Sequence, residues 1–97
     1  MDDSTTTEVY MILHDGTPVQ KSLYESVRLL VEDVLDVLIP GVGYTTEQLC
    51  GEDFWKPLDE VKRRLAGKCL ANLVMTGQIP LQIQGCKHQY PRKYMKI

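Results

Sequence analysis

Residues 57–77, PLDEVKRRLAGKCLANLVMTG, have the pattern of one amphipathic helix. Apolar side chains recur at helical spacing and predict the face that is turned to the core. They are Leu58, Val61, Leu65 and Cys69, widened by Ala66, Leu70, Leu73 and Val74. Pro57 suits the first turn of a helix, and Gly77 suits the position just after the last turn. We therefore expect the rest of the fold to be arranged around this helix.

The opposite side of the same helix is polar and mainly basic. It carries Lys62, Arg63, Arg64, Lys68 and Asn72. Gly67 lies in the interior, where glycine costs about 1 kcal/mol relative to alanine. Close approach of a neighbouring helix would offset that cost, and we expect such an approach here.

A short helix is predicted just before this one. Thr45 and Gln48 form the capping-box pattern T-x-x-Q, which predicts a helix over residues 46–50, and Gly51 suits its end. Trp55 follows, and we expect it to anchor the angle between the two helices rather than to stack on a nucleic-acid base.

The chain ends with the pattern of a β-hairpin. Leu81 and Ile83 alternate with glutamines, and residues 92–97 alternate again, with Tyr94 expected on the same side as Leu81. Two short strands joined by a basic loop fit a wing. The order helix, turn, helix, hairpin predicts a winged helix-turn-helix.

The N-terminal part adds a strand and a long helix to that unit. Residues 1–7 are polar and are expected to form a disordered tail. Residues 8–14 predict a strand that ends at an Asp-Gly turn, with an extended connection after it. Ser22 and Glu25 form a second capping-box pattern, S-x-x-E, and predict a helix over residues 22–38. The predicted fold class is therefore α+β, with one winged-helix-like domain over residues 8–97.

Composition excludes several classes of protein. The chain has 97 residues, enough for one domain, and lacks an apolar run of the length of a transmembrane helix. Its first residues lack the features of a secretory signal, so a cytoplasmic protein is expected. Three cysteines, with no C-x-x-C pair, argue against a disulfide framework.

Motifs for catalysis or metal binding are weak. His14 and His88 lie far apart in the chain, and no phosphate-binding glycine motif is present. Cys86 and His88 could supply two zinc ligands, with Cys50 or Cys69 as a third, but the paired spacing of structural zinc sites is missing. We expect neither an enzyme nor a metal or other cofactor.

Charge is divided unevenly along the chain. Residues 1–55 hold two basic and eleven acidic residues, whereas residues 56–97 hold nine basic and two acidic ones. Clustered lysine and arginine provide most of the affinity of proteins for the phosphates of DNA. The predicted DNA contacts are Lys62, Arg63, Arg64 and Lys68 on the helix and Lys87, Arg92 and Lys93 in the hairpin. The alternative interpretation is that these charges form only a solvated face.

A resemblance covers a little over half of the chain. Residues 45–97 resemble a family of small uncharacterised bacterial domains that are common in mobile elements. The shared pattern is carried by Thr45, Leu49, Gly51, Trp55, Arg64, Gly67, Gly77, Ile79, Pro80 and Tyr94. The resemblance implies a winged-helix-like architecture and no particular activity. Asp59 stands before the long helix where a small polar residue is expected, and aspartate caps equally well.

Two functions follow as expectations. The first is a small regulator of a bacterial phage, plasmid or integrated element that binds double-stranded DNA. Its acidic half, with the helix at residues 22–38, would serve a homodimer or a protein partner. The alternative is a protein-interaction module in which the winged-helix scaffold does not read DNA, because a fold does not determine a function.

Overall fold

Helices and two small antiparallel sheets make up residues 9–85 and 92–97, the part of the chain that the computed structural model describes. In chain order the elements are β1 (Tyr10–Ile12), β2 (Pro18–Gln20), α1 (Lys21–Val34), a 3-10 turn (Leu35–Val37), α2 (Thr46–Cys50), α3 (Glu52–Trp55), α4 (Glu60–Met75), β3 (Leu81–Gln84) and β4 (Lys93–Lys96). The fold is thus mixed α+β, as predicted.

The central helix α4 is shorter than the pattern predicted. It begins at Glu60, and Asp59 caps it by accepting a hydrogen bond from the Lys62 amide at 2.8 Å. Pro57 lies in the preceding turn, so its predicted place inside the helix was wrong. The buried residues of α4 are Ala66, Cys69, Leu70, Ala71, Asn72 and Leu73. Val61, which the spacing placed on the inner face, is 60% exposed, because only the second half of α4 is covered by other elements.

Two residues of α4 have surroundings opposite to those predicted. Among the described residues, no atom lies within 4 Å of a Cβ added to Gly67, so none of the described helices approaches there and the expected explanation for this glycine was wrong. Asn72 was placed on the exposed side but is only 5% exposed. Its amide has polar partners in the interior, which explains how the interior accommodates it.

Helix α1 starts without the predicted capping box. Gln20 occupies the N-cap and makes no side-chain capping bond, so Ser22 already lies in the first turn. Glu25 instead accepts hydrogen bonds from Arg28, which also reaches Glu32 at 3.2 Å. The α-helix ends at Val34, and the 3-10 turn carries the chain onward.

Helix α2 has the boundaries that its sequence predicted. The Thr45 amide donates to Gln48 Oε1 at 2.8 Å, and the Gln48 amide donates to Thr45 Oγ1 at 3.2 Å. Gly51 follows with a φ of 94°, a conformation that side-chain-bearing residues rarely adopt. The prediction of a capping box and of a glycine end is confirmed.

The first sheet is a hairpin of β1 and β2. Met11 faces Val19 across it, and Gly16 supplies the positive φ of 89° that its turn requires. The expected extended connection at residues 17–19 is therefore largely the second strand of this hairpin, which the sequence did not predict as a strand.

The second sheet is the predicted C-terminal hairpin. Ile83 pairs with Tyr94, which is 1% exposed, and Leu81 is buried on the same side. Tyr44 and Tyr94 also exchange two backbone hydrogen bonds, at 2.9 and 2.8 Å. This bridge attaches the hairpin to the connection between α1 and α2.

One apolar core joins these elements. Its fully buried members come from α1, α2, α4 and both hairpins, and include Val27, Leu49, Leu70, Val19 and Tyr94. None of the helices in the described part of the chain has the length and apolar composition needed to cross a membrane. The predicted tail at residues 1–7 and most of the predicted wing loop lie outside the described residues.

Candidate functional site

A cleft of about 650 Å³ lies along one side of α4. Helix α4 lines it with Arg63, Arg64, Gly67, Lys68 and Ala71. The start of α2, the side chain of Trp55, the turn between β1 and β2, and the first part of β4 contribute the other lining residues. The cleft therefore draws on both hairpins as well as on the helix that was predicted to contact DNA.

The structure brings some of the predicted DNA-contacting residues together and separates others. Arg63, Arg64, Lys68 and Arg92 all line the cleft. Lys62 and Lys93 are exposed but lie outside it, and Lys87 lies outside the described residues. The helix and the hairpin thus share a basic surface at the cleft.

Arg63 connects α4 to the end of α3. Its Nε and Nη2 atoms donate to the carbonyl oxygens of Trp55 and Lys56, each at 3.3 Å. The guanidinium also lies 5.7 Å from the centre of the Trp55 ring, within the range of a cation–π contact. Trp55 is half-buried and packs against the core, which supports its predicted structural role.

Lys68 is bound to the first hairpin. Its Nζ donates to Thr17 Oγ1 at 3.1 Å and lies 3.5 Å from Asp15 Oδ2. Hydrogen bonds from Thr17 to the Asp15 carboxylate, with a smaller contribution from Lys68, lower the pKa of Asp15 below its ordinary value. The charge of Lys68 is therefore partly neutralised by the protein itself.

Arg64 is more open to solvent than Arg63 or Lys68. Its side chain is 67% exposed, and a carboxylate oxygen of Glu60 lies 3.9 Å from its guanidinium. Such an exposed pair contributes little to stability, since water and salt screen it. Arg64 can therefore exchange this partner for an anion in the cleft at low cost.

A polar network fixes the first hairpin beside the cleft. Asn72 Oδ1 accepts from the His14 amide at 2.9 Å and contacts His14 Nδ1 at 2.6 Å. Because an amide oxygen can only accept, Nδ1 must carry the proton. Asn72 Nδ2 donates to the Tyr24 hydroxyl at 2.9 Å, and Gln78 donates to the same oxygen at 3.0 Å.

This network was not predicted from the sequence. The available signal was one asparagine inside the apolar run at residues 69–74, where a buried polar group needs partners. The partners themselves come from α1 and from the first hairpin, far away in the chain.

The two described thiols are buried in the core. Burial, with a smaller contribution from the neighbouring Cys69, raises the pKa of Cys50 to about 12, and burial raises that of Cys69 to about 11. Across residues 9–85 and 92–97, no three His, Cys, Asp or Glu side chains are grouped so that they could hold a metal ion. Cys86 and His88, named above as possible zinc ligands, lie outside those residues.

Comparison with family models, with curated proteins and with solved structures finds no match to this chain. The resemblance of residues 45–97 to a family of mobile-element domains therefore stays a prediction.

Proposed function

We propose that this protein is a small regulator that binds double-stranded DNA through a winged helix-turn-helix. In this proposal α1, α2 and α4 form the helical part, Tyr44 forms the first short strand, and β3 with β4 forms the wing. The backbone bridge between Tyr44 and Tyr94 supports this assignment, because it attaches the hairpin beside the helices. The resemblance of residues 45–97 favours a regulator that belongs to a bacterial mobile element.

The observation that carries the proposal is the shared cleft. Arg92 from the second hairpin lines the same cleft as Arg63 and Arg64 from α4. A helix that enters the major groove and a wing that follows the backbone must present their charges on one side of the protein. The phosphates of DNA favour such clustered cations.

The basic residues take different roles in this proposal. Lys62 and Arg64 on α4 and Lys93 on β4 are exposed and would contact phosphates. Arg63 would position α4, because its guanidinium is bound to the end of α3. Lys68 would act indirectly, by keeping the first hairpin next to the helix.

Salt-dependent binding to random duplex DNA tests the proposal. Wild-type affinity, measured by fluorescence anisotropy, should fall steeply as salt is added. Arg64→Ala removes about one phosphate contact, so the slope of log K against log salt should become shallower by about 0.9. Lys21→Ala is the matched control, because it removes one exposed charge from α1, outside the cleft.

Two results would contradict the proposal. One is an absence of binding to duplex DNA at low salt, and the other is an equal loss of slope in Arg64→Ala and Lys21→Ala. Arg63→Ala is a poorer test, because it would also disturb the contact between α3 and α4.

The exposed surface of α1 and of the 3-10 turn after it favours a second candidate function, a protein-interaction module. Leu29 and Val37 are 57% and 76% exposed, and the acidic residues Glu32, Asp33 and Asp36 are exposed beside them in the chain. An apolar surface with acidic neighbours suits a basic protein partner or a second copy of the chain. If the protein binds no DNA at low salt, this surface becomes the leading candidate for its function.

A further inference from the structure

Gly67 faces open space in the middle of α4. Within residues 9–85 and 92–97, no atom lies within 4 Å of the Cβ that another residue would place there, and Gly67 lines the cleft. Glycine in a helix interior is unfavourable compared with alanine, and no neighbouring helix explains it here. Because Gly67 has no side chain, it leaves space in the cleft beside α4.

The wall of the cleft beside Gly67 is apolar. Ala71, one helical turn further on, also lines the cleft but is only 4% exposed, so Gly67 provides most of this open wall. The half-buried Trp55 adds aromatic surface, whereas Tyr94 is almost fully buried and offers little. A flat ring could therefore lie against this wall in contact with apolar atoms.

Charged groups surround that apolar wall. Among the lining residues in the described part of the chain, four are cationic (Arg63, Arg64, Lys68 and Arg92) and two are acidic (Asp15 and Glu47). Glu60 pairs with Arg64 at 3.9 Å from outside the lining and reduces this excess of positive charge, but its side chain is 90% exposed and binds Arg64 weakly. The cationic lining favours a phosphate monoester, which carries about −1.5 to −2 at neutral pH, over a singly charged carboxylate or phosphodiester.

The size of the cleft also fits a small molecule. Sites for small ligands usually have volumes of about 300–1,000 Å³, and the cleft, at about 650 Å³, falls in the middle of this range. Most of its surface is apolar, but polar and charged residues outnumber apolar ones in its lining, as suits a charged ligand.

We propose that the cleft binds an organic phosphate monoester of nucleotide size. Its ring lies against Gly67, beside Trp55, and its phosphate is held by Arg64 and Arg92. The planar guanidinium group donates two parallel hydrogen bonds to phosphate oxygens, which gives arginine its preference for this ligand. This site does not depend on DNA binding, because a free monoester needs only the cleft.

The single tryptophan of the chain provides the readout. Trp55 lines the cleft, so a bound ligand should change its fluorescence emission. The intact protein is titrated with adenosine 5′-monophosphate and, in parallel, with adenosine, which has the same ring and no phosphate. The monophosphate should cause a saturable change, and adenosine should bind at least about tenfold more weakly, since it lacks the charge-assisted bonds.

Substitution of Gly67 tests the geometry. Gly67→Leu places a side chain in the open space and should weaken binding of the monophosphate by about tenfold or more, through steric exclusion. Val61→Leu is the matched control, because it enlarges an exposed residue of α4 that does not line the cleft. Gly67→Ala should weaken binding less. The circular dichroism spectra of the Gly67 variants show whether their helices are intact.

A third titration, with a short DNA duplex without terminal phosphates, separates the two sources of phosphate. The inference is overturned if adenosine binds as well as its monophosphate, or if Gly67→Leu binds the monophosphate as wild type does. It is also overturned if only the duplex changes Trp55 emission, a result that would leave the proposed DNA binding standing. Binding of the monophosphate without any binding of the duplex would support the cleft site and contradict the DNA proposal.

Discussion

The two hairpins are attached to the helices in different ways. The C-terminal hairpin, β3–β4, is held by the buried side chains of Leu81 and Tyr94 and by the backbone bridge to Tyr44. The N-terminal hairpin, β1–β2, also buries apolar residues, but it adds polar bonds: the His14 amide donates to Asn72, and Lys68 donates to Thr17.

This difference separates two sources of stability. Burial of apolar area stabilises the C-terminal hairpin without depending on the direction of individual bonds. The polar attachment of the N-terminal hairpin contributes only while every buried group has its partner, since an unsatisfied group costs more than a bond contributes. Both hairpins line the cleft, so both kinds of attachment determine its shape.

The largest loss of stability is expected from a substitution that removes the apolar attachment of the C-terminal hairpin. Tyr94→Ala should lower the free energy of unfolding by about 3–5 kcal/mol, because it removes a large buried ring and leaves a cavity. Urea denaturation followed by circular dichroism measures this change. Tyr10→Ala, on the exposed surface of β1, is the control and should change stability by only about 0.5 kcal/mol. Similar losses in both variants would show that the ring of Tyr94 does not anchor its hairpin.

A smaller loss of stability is expected from a substitution that removes the polar attachment of the N-terminal hairpin. Asn72→Ala should lower the free energy of unfolding by about 1–3 kcal/mol, because it leaves the buried Tyr24 hydroxyl and the His14 amide without this partner. Hydrogen exchange should accelerate at the His14 amide and stay unchanged at the Tyr94 amide. Gln78→Ala is a milder control, since Asn72 still donates to Tyr24. Faster exchange at both amides would mean that the two hairpins are not attached independently.

The smallest effect is expected at the turn of the N-terminal hairpin. The folded state lowers the pKa of Asp15 from its unfolded value of 3.8, so the stabilisation is present above that pH and is lost as pH falls through the lowered value. Asp15→Asn should therefore melt at a lower temperature than wild type at neutral pH, and the difference should vanish in acid.

Lys68→Met provides the control for this pH effect. In that background Asp15→Asn should cause a smaller change, because one of the partners of the carboxylate is already missing. A difference between Asp15→Asn and wild type that persists in strong acid would show that its cause is not the charge of Asp15.

Local and periodic features of the fold were predictable from the sequence. The capping box of α2 depends on Thr45 and Gln48, three residues apart, and the inward position of Tyr94 follows from strand alternation. Features that depend on distant partners were not predictable. The burial of Asn72 requires Tyr24, and the open space at Gly67 depends on which elements fail to reach it.

The candidate site was likewise predictable from the sequence only in part. Composition and helical spacing identified a basic surface, and four of its predicted residues line one cleft. The separate roles of Arg63 and Lys68 could not be predicted, because their partners are set by tertiary structure. Arg63 contacts carbonyl oxygens at the end of α3, a short helix that the sequence did not predict.

The bridge between Tyr44 and Tyr94 has a consequence for the order of folding. The segment between these residues contains α2, α3, α4 and β3, so forming the bridge closes a long loop. Loop closure costs entropy before the new contact stabilises the chain, and non-local pairing is slow for this reason. The helices and the β3–β4 hairpin can form early from local contacts, whereas the bridge to Tyr44 closes only when this hairpin meets the helices. We expect the C-terminal hairpin to dock late in refolding and the cleft to become complete with that step.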